Sequence, residues 1–191
     1  MILMTAARAR REPMDARRAQ WETTPPSAHP TDRQGRHDRY SIGLPGADGV
    51  DSPAFIRATE ALRRYDIYSP RRMRSLVCSD DGRVRTGALI IQRIMFGPAA
   101  VEAAVRVVEL FGPRQPDRAF GFTYVTLEGH AEKGVASFFV ARDADGAVSF
   151  HIESWSVSGG GPAALMAPLS RSLQKAFSRE ALRHFRHTAA P

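Results

Sequence analysis

A chain of 191 residues, 43% of them hydrophobic, is long enough to bury one good core and too short for two ordinary domains. No apolar run approaches the ~20 residues that a membrane-spanning helix needs, so no membrane span is expected. The net charge of +7 is carried almost wholly by arginine, since Lys133 and Lys175 are the only lysines. Acidic residues are interspersed, and no reading helix, paired-cysteine finger or aromatic-basic repeat accompanies the charge. Specific nucleic-acid binding is therefore not expected. A lone Cys78 allows neither an internal disulfide nor a thiolate metal site.

The chain opens with Met1-Ile2-Leu3-Met4 ahead of an arginine-rich block. A secretory signal has the reverse order, charge before a longer apolar stretch, so a cytoplasmic location is the expectation. Residues 1–51 are rich in arginine and proline with scarcely any periodic apolar run, and read as a disordered or loosely attached extension. A helix begins at Ser52–Pro53, serine capping and proline at the first turn. Phe55, Ala58, Leu62 and Tyr65 form its apolar stripe, and Asp66–Pro70 ends it. Ser75–Cys78 suits a short strand. Thr86–Phe96 reads as a buried strand interrupted by Gln92 and Arg93.

For Val101–Phe111 the pattern fits a helix and a strand equally. After Pro113–Pro116, Phe120, Phe122 and Tyr124 alternate with Gly121, Thr123 and Val125, the period of a half-buried strand. Val135–Arg142 and Ala147–Val157 follow as strands joined by an Asp143–Gly146 turn. Val148, Phe150 and Ile152 share one face of the last strand, while His151 and Glu153 share the other. Beyond the Gly159–Pro162 hinge, Leu165, Leu169, Leu173, Phe177, Leu182 and Phe185 trace a long amphipathic helix to about His187. Arg171, Lys175, Arg179 and Arg183 recur on another face, as a solvated flank or a surface for an anionic partner. The fold class predicted is α+β, a curved antiparallel sheet gripping a long C-terminal helix. The domain occupies 52–187, with a short tail at 188–191.

The segment Phe120-Gly121-Phe122-Thr123-Tyr124-Val125-Thr126-Leu127-Glu128-Gly129-His130-Ala131-Glu132-Lys133-Gly134 resembles the signature of the uncharacterised family DUF1990, also called UPF0548. The Phe138 strand, the Phe150-x-Ile152 strand with Ser154 and Ser156, and the helix carrying Pro168, Leu169, Arg171, Leu173 and Gln174 continue the resemblance over about residues 52–185. Val135 and Ala136 depart from it, standing where relatives commonly carry acidic residues. The family implies no established activity. By element order it is similar to helix-grip proteins (START, polyketide-cyclase and Bet v 1-like), whose sheet and helix enclose an apolar cavity. That analogy concerns fold, not function.

The candidate ligand-binding residues are Tyr124, Trp155, His130, Glu132 and Phe122. Tyrosine and tryptophan offer apolar area with one polar handle, which suits an amphipathic small molecule. His130 and Glu132 follow the Gly129 turn and could serve as acid–base or orienting groups, or simply stabilise that turn. Convergence of these two with His151 and Glu153 on a metal would need a particular strand register, and no metal site is expected. No phosphate loop, nucleophile elbow or dinucleotide motif is present, so no cofactor is expected. Three roles remain open: binding of a small apolar or amphipathic molecule between sheet and helix, a filled-core module with a protein partner or homo-oligomer, and an enzyme using His130 and Glu132.

Overall fold

In the computed structural model, which describes residues 1–27, 35–46, 52–112, 120–130, 132–142, 146–158 and 167–190, strands and helices follow in the order β1 (Ile2–Thr5), α1 (Ala6–Arg11), α2 (Arg18–Thr23), β2 (Arg36–Gly43), α3 (Pro53–Arg63), β3 (Met73–Cys78), β4 (Leu89–Phe96), β5 (Ala99–Phe111), β6 (Phe120–Thr126), β7 (Glu132–Arg142), β8 (Val148–Ser158) and α4 (Ala167–Ala189). The strands form one antiparallel sheet in the order β2-β8-β7-β6-β5-β4-β3, with β1 paired to the start of β5 on the edge opposite β4, ahead of the stretch that β6 takes. The predicted α+β architecture is the one observed. Val101–Phe111 is strand throughout, because β5 pairs with β4 along its first half and with β6 along its second. A bulge between Val107 and Glu109 turns Phe111 onto the face opposite Val107. The Asp143–Asp145 part of the expected turn and the Gly159–Pro162 hinge lie outside the described residues.

The concave face carries the main core. Val105 and Val107 of β5, Phe122 of β6, Phe138 and Val140 of β7, and Phe150 and Ile152 of β8 meet α3 and the C-terminal half of α4 there. Helix α3 starts as expected, with the Ser52 hydroxyl accepting from the Phe55 amide at 3.2 Å. Helix α4 supplies Ala181, Leu182 and Phe185, whose ring stacks on Phe150 at 3.9 Å between centroids. Among the described residues no helix is long and apolar enough to cross a membrane.

The two glycines of the signature segment are packing sites. A Cβ on Gly121 would run into Phe111 and the Cβ of Phe139, and one on Gly134 into the carbonyl oxygen of Trp155. Only glycine lets β6, β7 and β8 close so tightly at those positions. The Gly134 amide also donates to the Thr126 hydroxyl at 3.0 Å, tying β7 back to β6.

The N-terminal segment corrects the expectation of a loose extension. Its described part is folded onto the convex face of β4 and β5, and β2 joins the sheet edge. Trp21 packs with Leu89, Ile91, Ala104 and Leu127, and Met4 and Ala9 pack with Ala100. The physical reason lies in β4, where Leu89, Ile91 and Arg93 point away from the concave core that Ile90 enters. A strand apolar on both faces needs cover on both. The anchor is polar. Arg93, 0% exposed, places its guanidinium against Glu102 (2.6 and 3.0 Å) and donates to the carbonyls of Ala9 (2.6 Å), Glu12 (2.7 Å) and Pro13 (3.3 Å). These carbonyls lie in the last turn of α1 and just beyond it, so a buried cation satisfies acceptors that the helix cannot. Arg17 bonds the other oxygen of Glu102 at 3.1 Å and also pairs with Glu12.

Removing one partner of a hydrogen-bonded, desolvated pair leaves the other charge uncompensated. Arg93→Ala is therefore expected to cost about 3–5 kcal/mol, read as a lowered urea midpoint. Trypsin should then cut first at Arg8–Arg18, and an unchanged cleavage pattern would disprove the anchoring role.

Candidate functional site

The helix α3 ends in an unusual way. The Asp66 amide bonds the Ala61 carbonyl (2.8 Å) and the Tyr65 amide bonds the Leu62 carbonyl (3.1 Å), the pair of reversed bonds of a Schellman ending. The left-handed position of such an ending is usually glycine, yet here Tyr65 holds it at φ 58°. An aromatic residue in that region costs of order 1–3 kcal/mol. The turn sends the ring into the concave face, where it lies 5.8 Å from Phe122 and 6.3 Å from Phe138 between centroids. Its hydroxyl accepts from the Gln92 side-chain amide at 2.6 Å. The glutamine that interrupts the apolar run of β4 is thus buried and partnered, on the same face as Ile90.

Tyr124 adjoins this pair, its ring 5.4 Å from Phe138 and its hydroxyl close enough to Tyr65 and Gln92 for both to act on it. Tyr68 completes the group, 6.2 Å from Tyr65 and 6.4 Å from Phe138. Burial raises the ionisation of all three phenols above the usual tyrosine range, for Tyr65 and Tyr68 far above it. They stay neutral at physiological pH and act as hydrogen-bonding groups, not as acids or bases. Tyr65, Phe122 and Gln92 are buried, whereas Tyr124 and Tyr68 keep part of their surface accessible.

Of the predicted residues, Tyr124, Phe122 and Glu132 are brought together. Glu132 faces the same side of the sheet as Gly134, Ala136 and Phe138, and its charge reaches the Tyr124 hydroxyl. Its carboxylate pairs with Arg36 at 3.4 Å, and Arg36 pairs with Asp38 at 2.7 Å. Trp155 is elsewhere. The alternation along β8 that turns Phe150 and Ile152 inward turns Trp155 outward, where it stacks on His37 at 4.0 Å. His151 and Glu153 share that convex face, His151 stacked on Phe139 at 4.8 Å and Glu153 paired with Arg39 at 3.0 Å. The two histidine–glutamate pairs therefore do not converge, and among the described residues no group of three or more His, Cys, Asp and Glu could hold a metal.

His130 sits at the turn between β6 and β7. Its Nδ1 lies 2.8 Å from the Glu132 carbonyl oxygen and 3.2 Å from the Glu132 amide. The imidazole thus engages the main chain of Glu132, not its carboxylate. Burial pushes its pKa down to about 4, and the neighbouring terminal ammonium of Met1 works in the same direction. Glu128 and Ser27 stitch this turn to the N-terminal segment through Pro25 (2.9 Å) and Thr126 (2.8 Å).

A family model described as "Domain of unknown function (DUF1990)" matches residues 18–184. The chain belongs to the DUF1990 family. The match starts well before the resemblance read from the sequence, and it takes in α2 and β2. No curated protein sequence matches this DUF1990 chain. Among solved structures, a hypothetical protein from Helicobacter pylori superposes with a TM-score of 0.58 at 11% identity, covering 81% of this chain and 88% of its own. The di-domain ARO/CYC StfQ from the steffimycin biosynthetic pathway gives 0.54 at 12% identity, over 91% of this chain and 53% of that one. Ginseng major latex-like protein 151 from Panax ginseng gives 0.50 at 13% identity, over 82% and 99%. These likenesses establish a helix-grip fold for this DUF1990 member.

Sequence reasoning missed Tyr65, Tyr68 and Gln92 as site residues. Gln92 inside an apolar run was the available signal, since a buried amide needs a partner. Tyr65 gave none, because it reads as the last residue of the helical stripe.

The His130 value sets a pH dependence. Above the ordinary value of 6.5 both folded and unfolded forms are neutral. As pH falls from 6.5 towards 4 the unfolded chain takes up the proton first, so stability is lost across that window. The loss is expected to be on the order of 2–3 kcal/mol. His130→Asn should flatten the urea-midpoint profile between pH 6.5 and 4.5, and an unaltered slope would contradict the assignment.

Proposed function

We propose that this protein binds a small apolar or amphipathic molecule between the concave face of the sheet and α4. The observation that carries the reading is the Tyr65–Gln92 hydrogen bond set into an aromatic wall beside the partly accessible Tyr124. A core that only needed filling would gain more from a leucine at either position than from a strained tyrosine and a buried amide. In the proposed complex, Phe122 and Phe138 take the apolar body of the ligand. Tyr124 and Tyr68 bond a polar group, and Glu132 with Arg36 borders the polar end. Helix-grip neighbours, one of them described as an ARO/CYC of a biosynthetic pathway, are consistent with such a role. The proposal involves no catalytic step, and His130 contributes through the β6–β7 turn.

Titration with the fluorescent amphiphile 8-anilino-1-naphthalenesulfonate tests it. Saturable binding is expected, weakened about five- to tenfold by Tyr124→Phe, the loss of one hydrogen bond. Trp155→Phe, on the opposite face, should leave it unchanged. Equal weakening by both, or none by Tyr124→Ala, would overturn the assignment of the concave face.

A further inference from the structure

The most uneven distribution of charge lies along α4. Many arginines elsewhere have carboxylate partners, as where Arg64 bonds Glu60 (2.7 Å), Arg85 bonds Asp81 (2.6 Å), and Arg72 bonds Glu180 (3.1 Å), the one acid in α4. Lys175, Arg179, Arg183 and Arg186 are exposed on one side of the helix. None of the four forms an ion pair with a described residue, and Arg183 donates only to the Arg179 carbonyl at 3.3 Å. A helix C-terminus attracts cations within its last turn, which accounts for Arg186 but not for the two turns before it. The row ends at an open cleft of about 350 Å³ between α4 and the sheet, where Ile42, Pro45 and Ala190 form an apolar floor and Arg183, Arg186 and His187 the rim. Among the described residues no acidic side chain lines it.

The same cleft flanks a free strand edge. β2 is the end strand of the sheet. The Leu44 amide bonds the Val148 carbonyl at 2.9 Å. By the alternation of an antiparallel ladder, the main-chain groups of Arg39, Ser41 and Gly43 therefore point away from β8. Among the described residues nothing pairs with them. A half-polar edge with cations beside it is a template for another strand.

We infer that β2 and the basic side of α4 together form a docking site for an extended acidic peptide segment of a partner protein. The peptide adds as a strand to β2 through its main chain. One apolar side chain enters the cleft over Ile42 and Pro45, and acidic side chains two positions to either side, on the same strand face, meet Arg183, Arg186 and His187. A second copy of this chain is disfavoured at the site, since it would bring the same cations together. A bilayer is disfavoured too, because among the described residues the exposed large apolar ones, Met1, Leu3, Ile56, Val108 and Leu110, all lie off α4.

The test uses the full chain and a fluorescein-labelled peptide of about eight residues, one strand face carrying a valine between glutamates two positions to either side and the other face carrying threonines, followed by fluorescence anisotropy. Binding should saturate and weaken about tenfold when Arg183→Glu and Arg186→Glu are combined. It should also be lost when alternate peptide amides are N-methylated. Ser41→Pro removes an outward-facing donor without touching the β8 ladder, and it should weaken binding while the circular-dichroism melt stays in place. The exposed arginine variants supply the answer if that proline perturbs folding. Undiminished binding of the N-methylated peptide would overturn strand addition. Binding of phosphatidylserine vesicles or a single-stranded oligonucleotide in place of the peptide would overturn the choice of partner. Self-association abolished by Ser41→Pro, or no binding at low salt, would overturn it equally.

Discussion

The sheet must be buried on both faces at β4 and β5, and the Arg93–Glu102 pair is where that requirement is met. Ile90 and Val105 enter the concave core while Leu89, Ile91 and Ala104 face the other way. A helix-grip sheet with one helix layer would leave the second set in water. The N-terminal segment covers it with Trp21, Met4 and Ala9, and its position is set by a guanidinium wired to three carbonyls and a carboxylate. A buried ion pair is a poor source of net stability but a strict specifier of geometry when every donor is used. Here it fixes where α1 ends, and thereby where Trp21 and the strand-like contacts at Pro26 can reach the β6–β7 turn.

The concave side holds the polar cluster set into the main core. Two phenols and an amide lie there with Tyr65, which joins them by adopting a conformation that most side chains avoid. The surrounding packing over-determines it: the Schellman bonds hold the backbone, and Phe122 and Phe138 hold the ring. Strain of this kind persists where a precise orientation is required. The same packing keeps the phenols neutral, so they offer hydrogen bonds without contributing charge, while Glu132, Arg36 and Asp38 confine charge to one end.

The signature segment was legible as strand, turn and strand, and its glycines proved to be points of close approach. Its histidine is less separable from the scaffold than its chemistry suggests, since the imidazole engages the backbone beside it. Trp155 shows the limit of reading a strand without its faces. Its residue type suits a pocket, but β8 alternates strictly, and the parity that buries Phe150 and Ile152 sends Trp155 to the convex side. The folded N-terminal segment was hidden for a related reason. Its few apolar anchors, Met4, Ala9 and Trp21, follow no period, and the residue that fixes it lies some eighty positions away in β4.

By itself the sequence determined the strands β6 to β8, the capped helix α3, the amphipathic α4 and the resemblance to DUF1990. Each of these rests on local periodicity, turn chemistry or a run of residues in order. Only the tertiary structure decided that Val101–Phe111 is strand, that the first residues cover the sheet, and which aromatics share a face. Those outcomes depend on pairing partners and burial between segments far apart in the chain, which no local pattern encodes. Tyr65 is the sharpest case: its place in the site comes from a backbone turn that only the packed sheet could hold.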